Sequence, residues 1–311
     1  MLQYRASPGF VRTLRERAPG WLDVVVVDER DRSTFAAEMR DAEVLLHVLE
    51  PVTAAVLEAS SSLRLVQKIG VGVNTIDLDA ARARGVAVAN MPGTNTTAVV
   101  EHTLALLLAA LRRIPAFDRS TRSGRGWEPD LGSVDAVGEL AGRTVGLVGY
   151  GAVASQLAPV LCALGARVLH STRTARPDAV SEPRSLDDLL GESDVVSLHL
   201  PLTAETTGLL DRDRIARMKP GAVLVNTARG ALVDEDALVD ALRSGHLRAA
   251  ALDVFAEEPV APDHPLLALD NVVVTPHVAW LTPETLARSA SVAFENCRRL
   301  RAGEPILHRV V

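Results

Sequence analysis

The sequence predicts an α/β protein built from two units, each a parallel sheet covered by helices on both faces. Short runs rich in Val, Ile and Leu alternate with helical patterns along the chain, and this alternation is typical of parallel strands joined by crossover helices. At 311 residues the chain is long enough for two domains. Pro92 and Gly93 interrupt the alternation after the first ninety residues. We therefore expect two doubly wound units with a ligand cleft between them, because clefts between domains are preferred ligand sites.

The first unit is expected to alternate helix and strand from the start of the chain. Thr53 is a suitable N-cap for one helix, and Gly85 is placed to end another. Helices are predicted at residues 8–17, 53–60 and 78–84, and strands at residues 24–27, 44–49, 63–69 and 86–89.

A long, strongly apolar helix is predicted at residues 96–113. A helix this apolar is buried, either in a core or against a second subunit. A polar loop that contains Trp127 is predicted at residues 119–135. Loops of that length in compact proteins usually serve a function, and an arm that reaches across a dimer is one possibility.

The second unit is expected to begin at Val145 and to form a doubly wound sheet. Its helices include residues 234–244, closed by Gly245, and a final helix at residues 283–301 follows the last strand. A sheet of this kind binds its ligand at the carboxyl ends of the strands. Those ends are predicted at Tyr150, Thr172, Leu200, Thr227, Val254 and Thr275.

Composition and charge exclude several classes of protein. The net charge is −6, so the sequence lacks the excess of basic residues that is typical of nucleic-acid-binding proteins. Cys162 and Cys297 lie far apart, so we expect two small buried hydrophobic residues rather than a disulfide framework or a metal site. The first residues show no signal-peptide pattern, and the apolar run at residues 104–111 is too short to span a bilayer. We expect a cytoplasmic protein without membrane association.

Gly149 and Gly151 form a turn between a strand and an Ala-rich helix. The first glycine permits the sharp turn, the second lets a pyrophosphate approach the backbone, and the helix N-terminus attracts phosphate. The third small residue is Ala154, and an ordinary tight turn is the alternative. Because the turn opens a series of strand–helix units, we favour a Rossmann-type dinucleotide site. Its contacts would come from Gly149, Tyr150, Gly151, Ala152 and Val153.

The end of the next strand favours NADP over NAD. An NAD site usually carries an acidic residue about 20 positions after the glycines, where it binds the ribose 2′-hydroxyl. Thr172 and Arg173 occupy that place here. A guanidinium can hold a 2′-phosphate that a carboxylate would repel. The alternative is that Arg173 and Arg176 are solvated loop charges.

Arg229, Glu258 and His277 each follow a hydrophobic strand, so each is expected at the carboxyl edge beside the nicotinamide. Reduction of a carbonyl needs a proton donor that titrates near neutrality, and histidine is suited to it. A carboxylate can orient the imidazole, and an arginine can bind a substrate carboxylate and polarise the keto oxygen. Taken singly, each residue could instead be a solvated charge or a structural histidine.

Several ordered motifs make the chain resemble the D-isomer-specific 2-hydroxyacid dehydrogenases. The resemblance runs from about Leu63 to Thr285, whereas the first sixty residues share only the alternation of helices and strands. The motifs are the segments at residues 68–74, 90–96, 101–106, 199–203 and 225–234, the glycine turn, Asp253-Val254-Phe255, Glu258-Pro259 and Pro276-His277.

The resemblance implies a role for each matching residue. His277 would be the acid/base, and Glu258 would pair with it, rather than Glu257, because the family's glutamate directly precedes proline. Arg229 would hold the substrate's carboxylate and keto oxygen. The other implied contacts are the backbone N–H groups of Val71 and Gly72 to that carboxylate, Asp253 to the nicotinamide carboxamide, Asn95 in the cleft, and Leu200, Pro201, Thr172, Arg173 and Thr227 to the cofactor.

The resemblance also implies an architecture and an activity. Residues 1–95 and 284–311 would form a flavodoxin-like substrate domain, and residues 96–283 the NAD(P)-binding Rossmann domain. Family members are usually dimers built on the nucleotide domain. The activity expected is hydride transfer between NADP, which is favoured, or NAD and a small 2-keto or 2-hydroxy acid, as in glyoxylate/hydroxypyruvate reductases.

Two alternative functions stay open at this point. A phosphite- or formate-type dehydrogenase shares the fold, although Val71 stands where phosphite oxidisers place a lysine. A dinucleotide-sensing scaffold of the corepressor type could keep the same three polar residues without turnover. Trp280 could wall the substrate pocket or belong to the core.

Overall fold

A computed structural model describes residues 1–128 and 131–311 and divides the chain into two units. The first comprises Met1–Asn95 together with Trp280–Val311, and the second is Thr96–Ala279. The sequence placed the second boundary between residues 283 and 284, a few residues later. Both units are α/β domains with parallel sheets. No helix among the described residues is long and apolar enough to cross a membrane.

The first unit has a five-stranded parallel sheet in the order β2-β1-β3-β4-β5. Thr53 caps α3 by accepting a hydrogen bond from the backbone N–H of Val56. The strands are β1 (Leu2–Gln3), β2 (Val26–Val27), β3 (Val44–His47), β4 (Leu65–Lys68) and β5 (Ala87–Ala89), and the helices are α1 (Pro8–Arg17), α2 (Arg32–Met39), α3 (Ala54–Glu58) and α4 (Leu78–Ala83).

Two elements of this unit were not predicted. The strand β1 is two residues long and carries no alternating pattern, yet it pairs with both β2 and β3. The helix α2 is capped by Asp31, whose carboxylate accepts from the N–H of Thr34, and its Phe35 and Met39 pack against the core of the unit.

The second unit has a seven-stranded parallel sheet in the order β12-β11-β10-β9-β6-β7-β8. The chain runs outward from β6 to β8 and then returns to the other side of β6, so the strand order reverses between β6 and β9. Ligands of doubly wound sheets bind at such a reversal. The strands are β6 (Thr144–Val148), β7 (Arg167–Ser171), β8 (Glu182–Pro183), β9 (Val195–Leu198), β10 (Ala222–Asn226), β11 (Leu247–Leu252) and β12 (Val272–Val274).

Helices cover both faces of the larger sheet, and α12, the last helix, belongs to the first unit. The apolar α5 packs against α8 and the strands β10 and β11, so its buried face lies in the core of its own unit. The helices are α5 (Thr96–Leu111), α6 (Ile114–Arg122), α7 (Leu131–Asp135), α8 (Ala152–Ala163), α9 (Leu186–Glu192), α10 (Arg212–Arg217), α11 (Glu235–Arg243) and α12 (Pro283–Ala302).

Two sequence-based expectations were wrong here. The polar loop at residues 119–135 is partly helical, since α6 extends to Arg122 and α7 begins at Leu131. Pro115 lies in the first turn of α6, where proline is tolerated. Pro129 and Asp130 of that segment lie outside the described residues. Cys162 is exposed on α8 rather than buried, whereas Cys297 is buried.

Candidate active site

The glycine turn has the geometry of a phosphate site. Gly149 has φ of +90°, and a Cβ there would approach the carbonyl oxygen of His199 to 2.5 Å, so only glycine fits. Gly151 begins α8 without a side-chain cap, and a Cβ on it would meet no atom within 4 Å. Open space therefore lies beside the N-terminal end of α8, where free backbone N–H groups favour an anion such as a pyrophosphate.

Two residues near the glycines have side chains that are buried in the core and do not line the open space beside α8. Ala154 is fully buried among apolar residues of α5 and β6, which explains the need for a small residue. The Tyr150 ring is also buried and packs against His170, with centroids 4.5 Å apart. A cofactor contact at Tyr150 would therefore come from its backbone.

Thr172 and Arg173 are exposed directly after β7. The N–H of Gly149 donates to the carbonyl of Ser171 at 2.8 Å, so the end of β7 is tied to the glycine turn. The pKa of the neighbouring Glu205 is lowered by a hydrogen bond from the Thr203 hydroxyl and further by the charge of Arg173. Glu205, which was not predicted, therefore lies within electrostatic reach of Arg173.

The ends of β9 and β10 meet the same edge of the sheet. Leu200 lies beside Gly149, 3.2 Å from the position of a Cβ there, and Pro201 is exposed after it. The hydroxyl of Thr227 is 2.8 Å from that of Thr103 on α5. Leu200 and Pro201 thus follow β9, the neighbour of β6, and Thr227 follows β10, the next strand of the sheet.

Arg229 is held by the short segment that follows β10. The buried Asn226 donates to the carbonyl of Arg229 at 2.8 Å and accepts from the N–H of Ala228 at 3.0 Å. A Cβ on Gly230 would collide with the backbone of Phe255, so glycine allows this segment to pack against the one that leads to Glu258. Burial lowers the pKa of Arg229, and the charge of Glu258 raises it.

His277 and Glu258 form a hydrogen-bonded pair. The imidazole Nδ1 lies 2.6 Å from Glu258 Oε2, and the other carboxylate oxygen accepts from the N–H of Phe255 at 2.9 Å. His277 has φ of +55°, a left-handed conformation that is uncommon for residues other than glycine. The glutamate in contact with the imidazole is thus Glu258, and the backbone of His277 is constrained by its surroundings.

Asp253 organises the turn that carries His277. Its carboxylate, 1% exposed, accepts from the N–H groups of Val278 and Ala279, both at 2.9 Å, and from the hydroxyl of Thr275 at 2.5 Å. Burial raises the pKa of Asp253, but the hydrogen bonds, first among them that of His102, outweigh it and lower the pKa. The predicted contact of Asp253 with nicotinamide stays a prediction.

Val71, Gly72 and Asn95 belong to the first unit. Val71 is 47% exposed, and its carbonyl accepts from the side chain of Asn90 at 3.0 Å. Gly70, which precedes it, has φ of +133°. Within the described part of the chain, no other residue accepts a hydrogen bond from the N–H of Val71 or Gly72. Their roles, and that of Asn95, stay predictions.

The sequence analysis assigned no role to four residues that support the site, although its motifs and strand ends contain them. Asn226, Gly230, Thr275 and His102 each contact a predicted residue or its backbone. Asn226 and Gly230 flank Arg229, so a polar residue and a glycine at a strand end were an available signal. His102 lies more than a hundred residues away from Thr275, and no local pattern reveals such a contact.

Comparison with known proteins identifies the family. A model of the D-isomer specific 2-hydroxyacid dehydrogenase NAD binding domain matches residues 104–279, more than half of the chain. A D-3-phosphoglycerate dehydrogenase of Mycobacterium bovis is 44% identical over 305 residues, which cover 96% of this chain and 56% of the relative. The chain therefore spans little more than half the length of that relative.

Two further relatives match along most of their own length. A glyoxylate reductase of Aeropyrum pernix is 43% identical over 85% of this chain and 81% of its own. The structure of an NADPH-dependent glyoxylate/hydroxypyruvate reductase of Sinorhizobium meliloti, in complex with NADP and malonate, superposes with a TM-score of 0.84 at 30% identity and covers 100% of this chain and 95% of its own. With its glycine turn and its Arg229, Glu258 and His277 at one sheet edge, the chain belongs to the D-isomer-specific 2-hydroxyacid dehydrogenase family.

Proposed function

We propose that this protein is an NADPH-dependent reductase of small 2-keto acids, of the glyoxylate/hydroxypyruvate type. The observation that carries the proposal is the His277–Glu258 pair at 2.6 Å, which lies in the same unit and at the same sheet edge as Arg229 and the glycine turn. The names of the Aeropyrum and Sinorhizobium relatives support a glyoxylate-type substrate. The mycobacterial relative carries another substrate name, so the assay below uses a panel of 2-keto acids.

The side chains would divide the chemistry as follows. Bound NADPH supplies the hydride. His277 presents its Nε2 proton to the keto oxygen while Glu258 accepts from Nδ1, which orients the ring. Arg229 keeps its charge despite burial, because a guanidinium does not lose its proton in proteins, and it anchors the substrate carboxylate through two parallel hydrogen bonds.

The role of His277 is tested by substitution. We expect His277→Ala to lower kcat by about 10²- to 10⁴-fold while the affinity for NADPH, measured by fluorescence, is almost unchanged. His246→Ala is the control, since His246 contacts the carbonyl of Ile215 on α10. The assay follows NADPH absorbance with a panel of 2-keto acids. Wild-type turnover in His277→Ala would contradict the proposed role, and no turnover of any acid by the native protein would favour a dinucleotide-sensing scaffold.

The preference for NADPH is supported by Arg173 and by the neutral Thr172 at the end of β7. A charge-assisted pair with a 2′-phosphate contributes roughly 1.5–3 kcal/mol, so we expect Arg173→Ala to reduce the NADPH/NADH ratio of kcat/KM by about 10- to 100-fold. Arg176→Ala is the matched control in the same loop. A native protein that prefers NADH would contradict this part of the proposal.

We further propose a cytoplasmic homodimer formed through the second unit. The support for the dimer is apolar exposure along residues 114–134, where Ile114 is 56% exposed, Val134 47% and Trp127 91%. Two free thiols suit a reducing compartment. Sedimentation should give twice the chain mass for the native protein and a weaker association for Trp127→Ser. A native monomer at micromolar concentration would contradict the dimer.

A further inference from the structure

The second unit contains a group of arginines at the edge opposite the site described above. Arg248 is the second residue of β11, whereas Asp253 directly follows the end of that strand. At about 3.3 Å per residue, five residues separate the two positions by roughly 16 Å along the strand. Arg248 and Arg113 line one small cavity, together with Pro115, Ala116 and Asn271.

The guanidinium groups in this cavity have buried donors that lack acceptors. Arg113 Nε, Arg248 Nε and Arg248 Nη2 are buried and have no hydrogen-bond partner among the described residues. Buried polar groups in proteins are almost always hydrogen-bonded, so each such donor needs an explanation. The cost of a buried donor without an acceptor is higher for a charged group than for a neutral one, because a charged group loses more solvation energy on burial.

A third arginine adds to the positive charge. Gly138 lies between Arg143 and Arg248, and a Cβ on it would lie 2.7 Å from Arg143 Nη2 and 2.9 Å from Arg248 Nη2. Burial lowers the pKa of Arg248, and the charge of Arg143 lowers it further. Two like charges therefore approach each other across a glycine.

The nearby carboxylates are already engaged. Asp194, whose charge acts on Arg248, accepts from Lys219 Nζ at 2.7 Å and from the N–H of Thr144 at 2.9 Å. Asp270 lines the cavity, but its carboxylate pairs with Arg119 at 2.8 Å and is 85% exposed. The excess of positive charge in the cavity is thus not neutralised by these acids.

The backbone at the mouth of the cavity adds to the same potential. The nine-residue helix α6 starts here without a side-chain cap, and its positive dipole end lies at Pro115 and Ala116. Arg113, its N-cap residue, has φ of +52°. Strained conformations of residues other than glycine cluster at ligand sites.

We propose that this cavity binds a small multivalent oxyanion, such as phosphate, through Arg113 and Arg248, with Arg143 adding charge behind them. The planar, multidonor guanidinium matches the oxygens of such an anion. Binding satisfies the buried donors and removes the repulsion between Arg143 and Arg248. The anion therefore stabilises the fold from an edge remote from the cofactor.

The test is phosphate binding with the cofactor site saturated by NADPH, so that phosphate does not compete there. Calorimetry and thermal unfolding compare inorganic phosphate with chloride at constant ionic strength. Two results are expected for Arg248→Gln: at least tenfold weaker phosphate binding, and a higher Tm than the native protein in chloride, because a repulsive charge is gone. Arg113→Gln is the second variant, and Arg212→Gln, which removes an exposed cation paired with Asp240, is the control.

Three outcomes would overturn the proposal. The first is an equal phosphate-dependent rise in Tm in the native protein and in both variants. The second is the same loss of binding in Arg212→Gln, which would show a general charge effect. The third is a change in sedimentation of Arg248→Gln with unaltered phosphate binding, which would assign the cavity to a carboxylate of a second copy of this chain.

Discussion

The imidazole of His277 is fixed from two directions at the level of single residues. The imidazole Nδ1 of His277 lies 2.6 Å from the carboxylate of Glu258, and the backbone N–H of His277 donates to the carbonyl of Asp253 at 2.7 Å. Glu258 is held in turn by the N–H of Phe255. Hydrogen bonds within the protein thus orient both the imidazole of His277 and the carboxylate of Glu258.

Adjacent glutamates allow a matched test of this pair. Glu258→Gln should lower kcat by about 10- to 100-fold, because the amide keeps the shape but has one acceptor oxygen, whereas the carboxylate uses two, one for His277 Nδ1 and one for the N–H of Phe255. Glu257→Gln should leave kcat within about twofold. Steady-state kinetics with NADPH and the best 2-keto acid measures both. Equal losses in the two variants would remove Glu258 from its proposed role.

His47 is a buried neutral histidine in the first unit. Burial, with the nearby charge of Lys68, lowers the pKa of His47 to about 3, and its Nε2 lies 2.5 Å from the carbonyl of Glu50. The unfolded chain binds a proton near pH 6.5, whereas the folded protein binds it only near pH 3. Stability therefore falls as the pH decreases from 6.5 towards 3.

His47→Gln should reduce that pH dependence. At pH 5 the native protein should lose about 2 kcal/mol of unfolding free energy through His47, at roughly 1.4 kcal/mol per pH unit below 6.5. Urea unfolding at pH 7 and pH 5 measures the difference, which should be about 2 kcal/mol smaller in His47→Gln. His246→Gln is the control, and an unchanged difference in His47→Gln would show that His47 is protonated in the folded state.

At the level of elements, strand ends were predictable and the contacts that join them were not. The sequence correctly placed Arg229, Glu258 and His277 after strands, because hydrophobic runs and the residues that end them are local features. Asp253 illustrates the limit. Its assignment to the nicotinamide came from resemblance, whereas its carboxylate is turned to the segment that carries His277. That orientation depends on residues 22 to 26 positions away.

Gly230 joins two of these elements and can be tested. Gly230→Ala should destabilise the protein by at least about 2 kcal/mol, because the added methyl overlaps the backbone of Phe255, which cannot yield as a flexible side chain would. It should also lower kcat by displacing Arg229 or Glu258. Gly191→Ala in α9, where the nearest atom is 4.0 Å away, should be neutral or stabilising. Thermal unfolding and kinetics measure both, and native behaviour of Gly230→Ala would contradict the packing.

At the level of the whole molecule, the two units differ in continuity. Residues 96–279 are one uninterrupted segment with their own sheet and cores. The other unit is assembled from both ends of the chain, since Asn296 donates to Gln67 at 2.6 Å and the N–H of Val310 donates to the carbonyl of Val88 at 2.7 Å. The sheet of the first unit therefore depends on the last thirty residues.

Separate expression of the two pieces tests this dependence. Residues 96–279 should fold cooperatively and bind NADPH, whereas residues 1–95 should not fold without residues 280–311. Circular dichroism, protease resistance and NADPH fluorescence measure these properties. A cooperative unfolding transition in residues 1–95 alone would show that α12 is dispensable for the first unit.

The sequence by itself determined the fold class, the glycine turn, the strand ends that carry the polar residues, and the family. Each of these depends on short stretches of chain, through hydrophobic periodicity, turn residues or ordered motifs. Tertiary structure alone decided that Cys162 is exposed, that β1 pairs with two strands and that Asp253 faces the His277 segment. It also decided that Arg113, Arg143 and Arg248 converge. These depend on contacts between residues distant in sequence, which no local pattern encodes.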